Sequence, residues 1–453
     1  MGTIGTPESQ LLPSIVPLES GPRDHDGLLD RIGDSRFVLI GEASHGTHEF
    51  YRERARITKR LIEEKGFDAV CLEADWPDAH RAHTWVTGGS KDRDADGALS
   101  AFTRFPTWMW RNAEMVDFVR WLRDHNAQRG PGPGDDVNVR KVGLYGLDLY
   151  SLYGSMDAVL LYLDRVDPEA AARARARYGC FGHFGKDTTA YAYAAGLGMG
   201  KECEEQVVQQ LTEMRQRALD HARSDGGTTA EELFQVEQNA LLVKNAEEYY
   251  RSMFRGSVVT WNLRDRHMAD TLGSLVQHLD HALKRPCKVC VWAHNSHLGD
   301  ARATEMGSSG ELNLGQLARE RYGRDAFLVG FATYEGHVTA ASDWDAPTEK
   351  KVLRPAIDGS YEALFHGLRL PCFTVLPDRD GRLPDILRHE RLQRAVGVVY
   401  RPQTERQSHW FRARLADQFD AVIHIDRTRA VEPLERCPRW HGPDAADTFP
   451  FAV

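Results

Sequence analysis

The sequence lacks long hydrophobic runs and any feature that marks export. No run of about 18 consecutive apolar residues occurs among its 453 residues, and the N-terminal segment has no basic leader followed by an apolar core. Its seven cysteines are spread thinly, without the density of a disulfide framework. We therefore expect no membrane association and a location in the reducing cytoplasm.

Positively charged residues are fewer than negatively charged ones. Lys and Arg number 57 against 66 Asp and Glu, which gives a formal charge of −9, and no long basic run occurs. Binding that follows the phosphates of a nucleic acid needs the opposite balance. The expected partner is instead a small molecule, with the chain acting as a monomer or homodimer.

Two common hydrolase signatures are also missing. There is no GxSxG nucleophile elbow and no HExxH zinc helix. A standard serine α/β-hydrolase and a standard zinc hydrolase are therefore disfavoured.

The sequence does contain short apolar runs, most of them followed by a polar turn and a helical pattern. Such runs are typical of strands buried on both faces of a parallel sheet. They lie at 36–41, 68–73, 141–146, 288–293, 326–331, 371–376, 395–400 and 420–425. The pattern predicts an α/β fold with a mostly parallel central sheet flanked by helices.

Between about Ser155 and Leu283 the strand pattern stops and the period becomes helical. The clearest helices are predicted at 202–223, 229–251 and 263–283, and surface loops at 87–97 and 128–136. We expect 1–150 and 285–453 to form the two parts of the α/β core, with 151–284 as a helical insertion.

Ionisable side chains gather after four of the predicted strands. Ligands of open α/β sheets bind at the carboxyl ends of the strands, so these residues are the first candidates for a site. They are Glu42, His45 and His48, then Glu73 and Asp75, then Asp148, and finally His294 and His297.

The turn Gly41–Gly46, which reads GEASHG, is the strongest local signal. A histidine in such a turn usually caps or hydrogen-bonds, but a carboxylate on one ring nitrogen would leave the other free to take a proton. Glu42 and Glu73 are both placed to supply that carboxylate. Arg54 and Arg56 are candidates for contact with an anion or oxyanion.

Metal binding is an alternative for the same histidines. His45 with His48, and His294 with His297, form two HxxH pairs, and imidazole with carboxylate is a common environment for transition metals. Without HExxH, we expect no cofactor and keep a divalent metal as the alternative.

Weaker motifs are interpreted as structural. Cys287 and Cys290 face opposite sides of a predicted strand and are expected in the core, and 179–187 lacks the ends of a phosphate-binding loop. An aromatic group is expected to pack internally, with an apolar wall for a bulky substrate as the alternative. Its members are Phe102, Phe105, Trp108, Trp110 and Trp121.

Four segments, 36–76, 291–301, 329–341 and 419–434, resemble the erythromycin esterase family, and together they span most of the chain. The resemblance implies an α/β core with a helical insertion forming a deep cleft. It also implies hydrolysis of an ester or lactone; some members open macrolides and confer antibiotic resistance, whereas this chain is more similar to the large uncharacterised branch.

By resemblance, the general base is His45, supported by Glu42, Glu73, Arg54 and His294. His48, Asp75, His297, Trp110 and Asp148 are then expected to contact the substrate. The alternatives are a metal-dependent hydrolase using the same residues, a lyase or cyclase, and a ligand-binding protein without catalysis on the same scaffold.

Overall fold

The computed structural model describes residues 6–129, 141–184, 187–198, 201–221, 229–254 and 256–435. The chain divides into two compact units. Unit 1 comprises Met1–Cys71, Arg81–Leu144 and Pro286–Val453, and unit 2 comprises Leu72–His80 and Tyr145–Arg285. No described helix is both long and apolar enough to cross a membrane.

Eleven strands occur in the described part of the chain. They are β1 (Ile15–Pro17), β2 (Phe37–Ile40), β3 (Ala69–Asp75), β4 (Gly143–Asp148), β5 (Val289–Trp292), β6 (Ala326–Ala341), β7 (Thr348–Leu353), β8 (Cys372–Val375), β9 (Arg391–Arg394), β10 (Trp410–Ala413) and β11 (Ala421–Thr428).

The helices alternate with the strands at first and then follow one another through unit 2. They are α1 (Pro7–Leu11), α2 (Asp26–Ile32), α3 (His48–Lys65), α4 (Trp76–Val86), α5 (Ala95–Leu99), α6 (Ala113–Gln128), α7 (Leu152–Val166), α8 (Pro168–Tyr178), α9 (Thr188–Gly196), α10 (Lys201–His221), α11 (Ala230–Ser252), α12 (Ser257–Leu283), α13 (Asn295–Leu298), α14 (Glu305–Ser308), α15 (Leu314–Tyr322), α16 (Tyr361–His366), α17 (Glu405–Ser408) and α18 (Leu415–Gln418).

The central sheet is mostly parallel, as predicted. Its order is β1-β8-β11-β6-β2-β5-β3-β4, with β7 added to β6. Strand β2 lies in parallel register between β5 and β6, with Ile40 opposite both Trp292 and Val329. The antiparallel pairs are at or near one edge, where β8 joins β1 to β11, and in the β6–β7 pair.

The first residues of β3 and β4 extend this sheet within unit 1. The backbone N–H of Asp68 donates to the carbonyl of Lys288 at 2.8 Å, and that of Gly143 donates to the carbonyl of Asp68 at 3.0 Å. All four residues of β2, and all four of β5, are buried. Burial on both faces explains why these strands are continuous apolar runs rather than alternating ones.

One predicted strand is wrong. Residues 395–400 form no strand and make only isolated bridges, Val396 with Ser44 and Val399 with Ala341. Val396 and Tyr400 are nevertheless fully buried in a core cluster with Leu353. The apolar run therefore reflects burial of side chains and not membership of a ladder, a distinction that a short apolar run does not make.

Helix α3 carries part of the candidate site and is anchored on its other side. The buried His25 Nε2 lies 2.9 Å from Glu53 Oε2, and Arg56 Nη1 lies 3.0 Å from the same oxygen. The helix ends at Gly66 in the left-handed conformation, with φ of +68°. Side-chain contacts at Glu53 and a backbone cap at Gly66 thus hold the first half and the C-terminal end of α3.

Unit 2 holds α7–α12, and the helices predicted at 202–223, 229–251 and 263–283 appear as α10, α11 and α12. Helix α11 begins with a capping box between Thr229 and Glu232. The predicted loop 128–136 lies mostly outside the described residues.

The cysteine prediction needs correction in unit 2. Cys180, in the 3-10 helix Gly179–Phe184, is bonded to Cys203 of α10, with 5.6 Å between their Cα atoms. Sequence spacing gave no sign of this pair because the two sulfurs approach only after α8, α9 and α10 have packed. Cys287 and Cys290 are buried thiols, as expected.

Candidate active site

The GEASHG turn leaves β2 and is held in place by backbone contacts from its neighbours in unit 1. The N–H of Gly41 donates to Val329, and the carbonyl of Gly46 accepts from Thr339 at 3.0 Å. A Cβ added to Gly46 would lie 1.8 Å from the carbonyl oxygen of Thr339. Glycine is therefore required where the turn approaches β6.

Glu42 is completely buried and its two carboxylate oxygens contact different partners. Oε1 lies 3.0 Å from Nδ1 of His45, and Oε2 lies 2.8 Å from Nη2 of Arg54. The three side chains form a continuous series of contacts from Arg54 through Glu42 to His45. Arg54 compensates the charge of a carboxylate that would otherwise be costly to bury.

The guanidinium of Arg54 is fully buried between aromatic rings. Its central carbon lies 4.3 Å from the ring centre of Tyr51 and 5.1 Å from that of Trp292. Burial and the neighbouring Glu42 raise the pKa of Tyr51 well above its ordinary value, so this residue is a neutral wall. Its hydroxyl donates to the carbonyl of Met109 at 2.7 Å.

The second histidine comes from the neighbouring strand. His294 follows β5, as Glu42 follows β2, and the N–H of Asn295 donates to the carbonyl of Glu42 at 2.8 Å. The rings of His45 and His294 have their centres 4.8 Å apart, with 44° between their planes. The parallel pairing of β2 with β5 is what places the two imidazoles side by side.

The tautomer of each ring follows from its partner. A carboxylate only accepts, so His45 carries its proton on Nδ1, facing Glu42, and neutral His45 has an unprotonated Nε2. A backbone N–H only donates, and that of Ser296 lies 3.2 Å from Nδ1 of His294. Neutral His294 therefore carries its hydrogen on Nε2.

The remaining candidates from unit 1 are placed around these residues or in the core. His48 contacts Glu114 through Nδ1 and is partly exposed. His297, on the short helix α13, is buried. Trp110 is buried, with its ring centre 6.2 Å from that of Tyr51, and its contact with a substrate stays a prediction.

The candidates from unit 2 form a separate group within that unit. Arg264 Nη2 lies 2.6 Å from Glu73 Oε1 and 2.6 Å from Asp148 Oδ2. Asp75 accepts the backbone N–H of Tyr150 at 2.8 Å. All three carboxylates are buried.

Sequence reasoning missed Arg264, which holds two of the strand-end carboxylates of unit 2. Burial by itself lowers the pKa of Arg264, but Asp148 and Glu73 outweigh it, and the pKa lies above its ordinary range. An arginine near the start of an amphipathic helix is unremarkable in sequence, so no local signal could have identified it. Ser296 had a weak signal, its position two residues after His294.

Within the described residues, no group of three or more His, Cys, Asp or Glu side chains is arranged to hold a metal ion. In the two HxxH pairs, three of the four histidines have an identified partner at Nδ1. Those partners are Glu42 for His45, Glu114 for His48 and Ser296 for His294.

A family profile described as erythromycin esterase matches residues 62–428, which is most of the chain. The chain belongs to the erythromycin esterase family. The erythromycin esterase type II of Escherichia coli is 21% identical over 421 residues, covering 88% of this chain and 91% of that protein.

Two solved structures share the fold of this erythromycin esterase family member. A protein from Bacillus cereus has a TM-score of 0.75 at 19% identity, covering 95% of this chain and 98% of that one. An erythromycin esterase mutant, EreC in its open conformation, has a TM-score of 0.63 at 16% identity, covering 90% and 94%. At these identities the likeness concerns the fold alone.

Proposed function

We propose that this family member hydrolyses a carboxylic ester or lactone, with His45 as the general base that activates water. The observation that carries the proposal is the pair of adjacent imidazoles whose Nδ1 atoms face a carboxylate in His45 and a backbone N–H in His294. Nε2 of His45 can take a proton, and Nε2 of His294 can donate a hydrogen bond. Attack of water on a carbonyl needs both actions at neighbouring points.

In this proposal a water gives its proton to His45 while its oxygen attacks the carbonyl carbon. Glu42 stabilises the imidazolium that forms, since its carboxylate already faces Nδ1. The hydrogen on Nε2 of His294 stabilises the oxyanion. Proton return from His45 to the departing alkoxide then releases the alcohol, so no covalent intermediate is needed.

Burial changes the expected part of Arg54. Its guanidinium is fully buried beside aromatic rings and contacts the second oxygen of Glu42. We therefore assign Arg54 to positioning Glu42 toward His45, and its contact with an oxyanion stays a prediction from the sequence. Support of His45 by Glu73 remains a prediction from the family resemblance.

The first test measures hydrolysis of a panel of esters and lactones by the native chain, His45→Ala, His294→Ala and the matched surface control His389→Ala. General base catalysis contributes about 10²–10⁴-fold, so His45→Ala should lose at least about 10²-fold in kcat. His294→Ala should lose about 10²–10³-fold, the usual effect of one oxyanion donor. His389→Ala should match the native chain.

Turnover of any panel member that survives His45→Ala would contradict the assignment of the base. Failure of the native chain on every ester and lactone would count against the substrate class. Reaction in ¹⁸O-labelled water should place the label in the product acid, whereas elimination or cyclisation would leave the product unlabelled.

A second test separates the metal-dependent alternative. We expect kcat to be unchanged after exhaustive treatment with a chelator, because the proposed mechanism uses only His45, Glu42 and His294 and has no step that requires a metal ion. Loss of activity on chelation, restored by a divalent ion, would favour the metal-dependent hydrolase instead.

A further inference from the structure

The disulfide of unit 2 joins two elements that enclose helix α9. Cys180 and Cys203 are separated by 23 positions in sequence, and α9 lies between them. Cys180 is partly exposed, whereas Cys203 is buried, with 3% of its surface accessible. An attacking thiolate would therefore reach the sulfur of Cys180 first.

On the Cys180 side, the bond is continuous with the packing of α9. Phe181, the next residue, has its ring centre 5.0 Å from that of Tyr191. Tyr191 is fully buried on α9, and its hydroxyl donates to Glu247 Oε1 at 2.7 Å. The hydroxyl of Tyr191 thus forms a hydrogen bond between α9 and α11, in addition to the packing of the two helices.

On the Cys203 side, the bond leads to the same carboxylate. Glu204, the next residue, lies 3.1 Å from Arg251 Nη2. Nε of Arg251 donates to Glu247 Oε1 at 2.8 Å. Burial raises the pKa of Glu247, so the contacts from Arg251 and Tyr191 are what favour its charged form.

These contacts and the disulfide form a closed series of contacting residues, which we call the circuit, and it passes through Tyr191 of α9. The circuit runs through Cys180, Phe181, Tyr191, Glu247, Arg251, Glu204 and Cys203. Tyr193 of α9 and Leu197, which follows the helix, are 64% and 65% exposed. Opening the bond removes the covalent cross-link that closes the circuit.

We propose that Cys180–Cys203 is a site of reversible thiol–disulfide exchange whose redox state controls how firmly α9 is held against α11. A dithiol reductant attacks the sulfur of Cys180, the S–S bond breaks, and Cys203 leaves as a thiolate. The second thiol of the reductant then displaces Cys180, so two electrons pass to the protein and the reductant becomes a disulfide. This inference is independent of the proposed hydrolysis.

The test compares the oxidised and reduced full-length chain by thiol counting and amide hydrogen exchange. Reduction by dithiothreitol should release two further thiols per chain in denaturant. Exchange of the α9 amides (Thr188–Gly196) should accelerate about tenfold or more, because the segment between the cysteines gains conformational freedom. Exchange in α3 of unit 1 should not change.

Two variants serve as controls. Cys203→Ser should show fast α9 exchange before and after dithiothreitol, while Cys372→Ser, which removes a free and partly exposed thiol of unit 1, should keep the native response. If Cys203→Ser does not fold, the oxidised and reduced native chains still decide the question.

Three results would overturn the proposal. One is that reduction releases no pair of thiols. Another is that it releases them without changing the exchange of α9. The third is equal acceleration in α3, which would mean that the bond stabilises the entire fold and not α9.

Discussion

At the residue scale, the central feature is that one buried carboxylate contacts both an arginine and the proposed base. Glu42 contacts His45 through one oxygen and Arg54 through the other. Removing Arg54 would leave a carboxylate in the interior without its guanidinium partner, which is more costly than the loss of a surface contact. Glu42 therefore links the stability of the fold to the position of His45.

We expect Arg54→Ala to lower the free energy of unfolding by about 3–5 kcal/mol, since it leaves Glu42 buried without its guanidinium partner. It should also reduce kcat much more than it raises KM, because in the proposed mechanism Arg54 acts through Glu42 and not on the substrate. Chemical denaturation and steady-state kinetics check the two parts. Arg93→Ala, an exposed site, is the matched control.

Rescue distinguishes positioning from simple stability. Arg54→Lys keeps the charge and should recover much of the stability, yet the pH profile of kcat should still be displaced because the geometry at Glu42 changes. An Arg54→Ala variant with native kcat would remove Arg54 from the proposed mechanism.

At the level of single residues, the sequence predicted contacts between side chains that lie close together in the chain. Glu42 and His45 are three positions apart in a tight turn, and the structure brings them into contact. The burial of Arg54 between Tyr51 and Trp292 depends on α3 packing against β5, which no spacing reveals. Arg264 was missed for the same reason.

At the scale of elements, the positions of the buried strands were more predictable than their partners, although β6 extends to Ala341, beyond the predicted segment 326–331. Apolar runs identified β2, β5 and β11 because burial on both faces is visible in composition. The sequence did not predict that β8 and β7 pair antiparallel with their neighbours, or that 395–400 forms no strand. Both depend on which other segment of the chain each backbone pairs with. That information is not local to the chain.

Gly46→Ala tests the turn between β2 and α3. The added methyl would overlap the carbonyl of Thr339, and backbone cannot move aside as a side chain can. We expect a loss of at least about 2 kcal/mol in stability, with His45 displaced and kcat lowered. Gly397→Ala, where an added Cβ meets nothing within 4 Å, should be close to native in thermal denaturation.

Equal melting temperatures for the two glycine variants would show that the turn can adjust, and that its close approach to β6 is not needed to position His45.

At the scale of the whole molecule, the chain has a formal charge of −9, and several of its carboxylates are buried beside cationic side chains. Among these carboxylates, Glu53 has the clearest consequence for stability in acid. Burial would raise the pKa of Glu53, but His25, Arg52 and Arg56 outweigh it and bring the pKa to about 2. The ordinary value is 4.5.

Because the folded-state pKa is the lower one, Glu53 adds stability above about pH 4.5 that is lost as the pH falls toward 2. The full contribution is about 3 kcal/mol. Glu53→Gln should therefore be less stable than the native chain at neutral pH, and the two unfolding curves should converge in acid. A gap that stays constant between pH 5 and about 2 would contradict this account.

The division of the chain was only partly visible in sequence. The change from strand to helix period marked the helices of unit 2. It did not mark Leu72–His80, which joins unit 2 from within the first α/β segment. Such a segment is assigned by spatial contacts and leaves no compositional boundary.

The hydrogen-bonded register between β2 and β5 fixes the distance between the His45 and His294 rings, whatever the number of residues in the chain that connects the two strands. The surface loops between α3 and β5 could therefore change in length, and the imidazoles would still emerge side by side, because β2, the turn after it and β5 are unaltered. The proposed reactive pair is in this way insulated from variation in the length of the intervening chain.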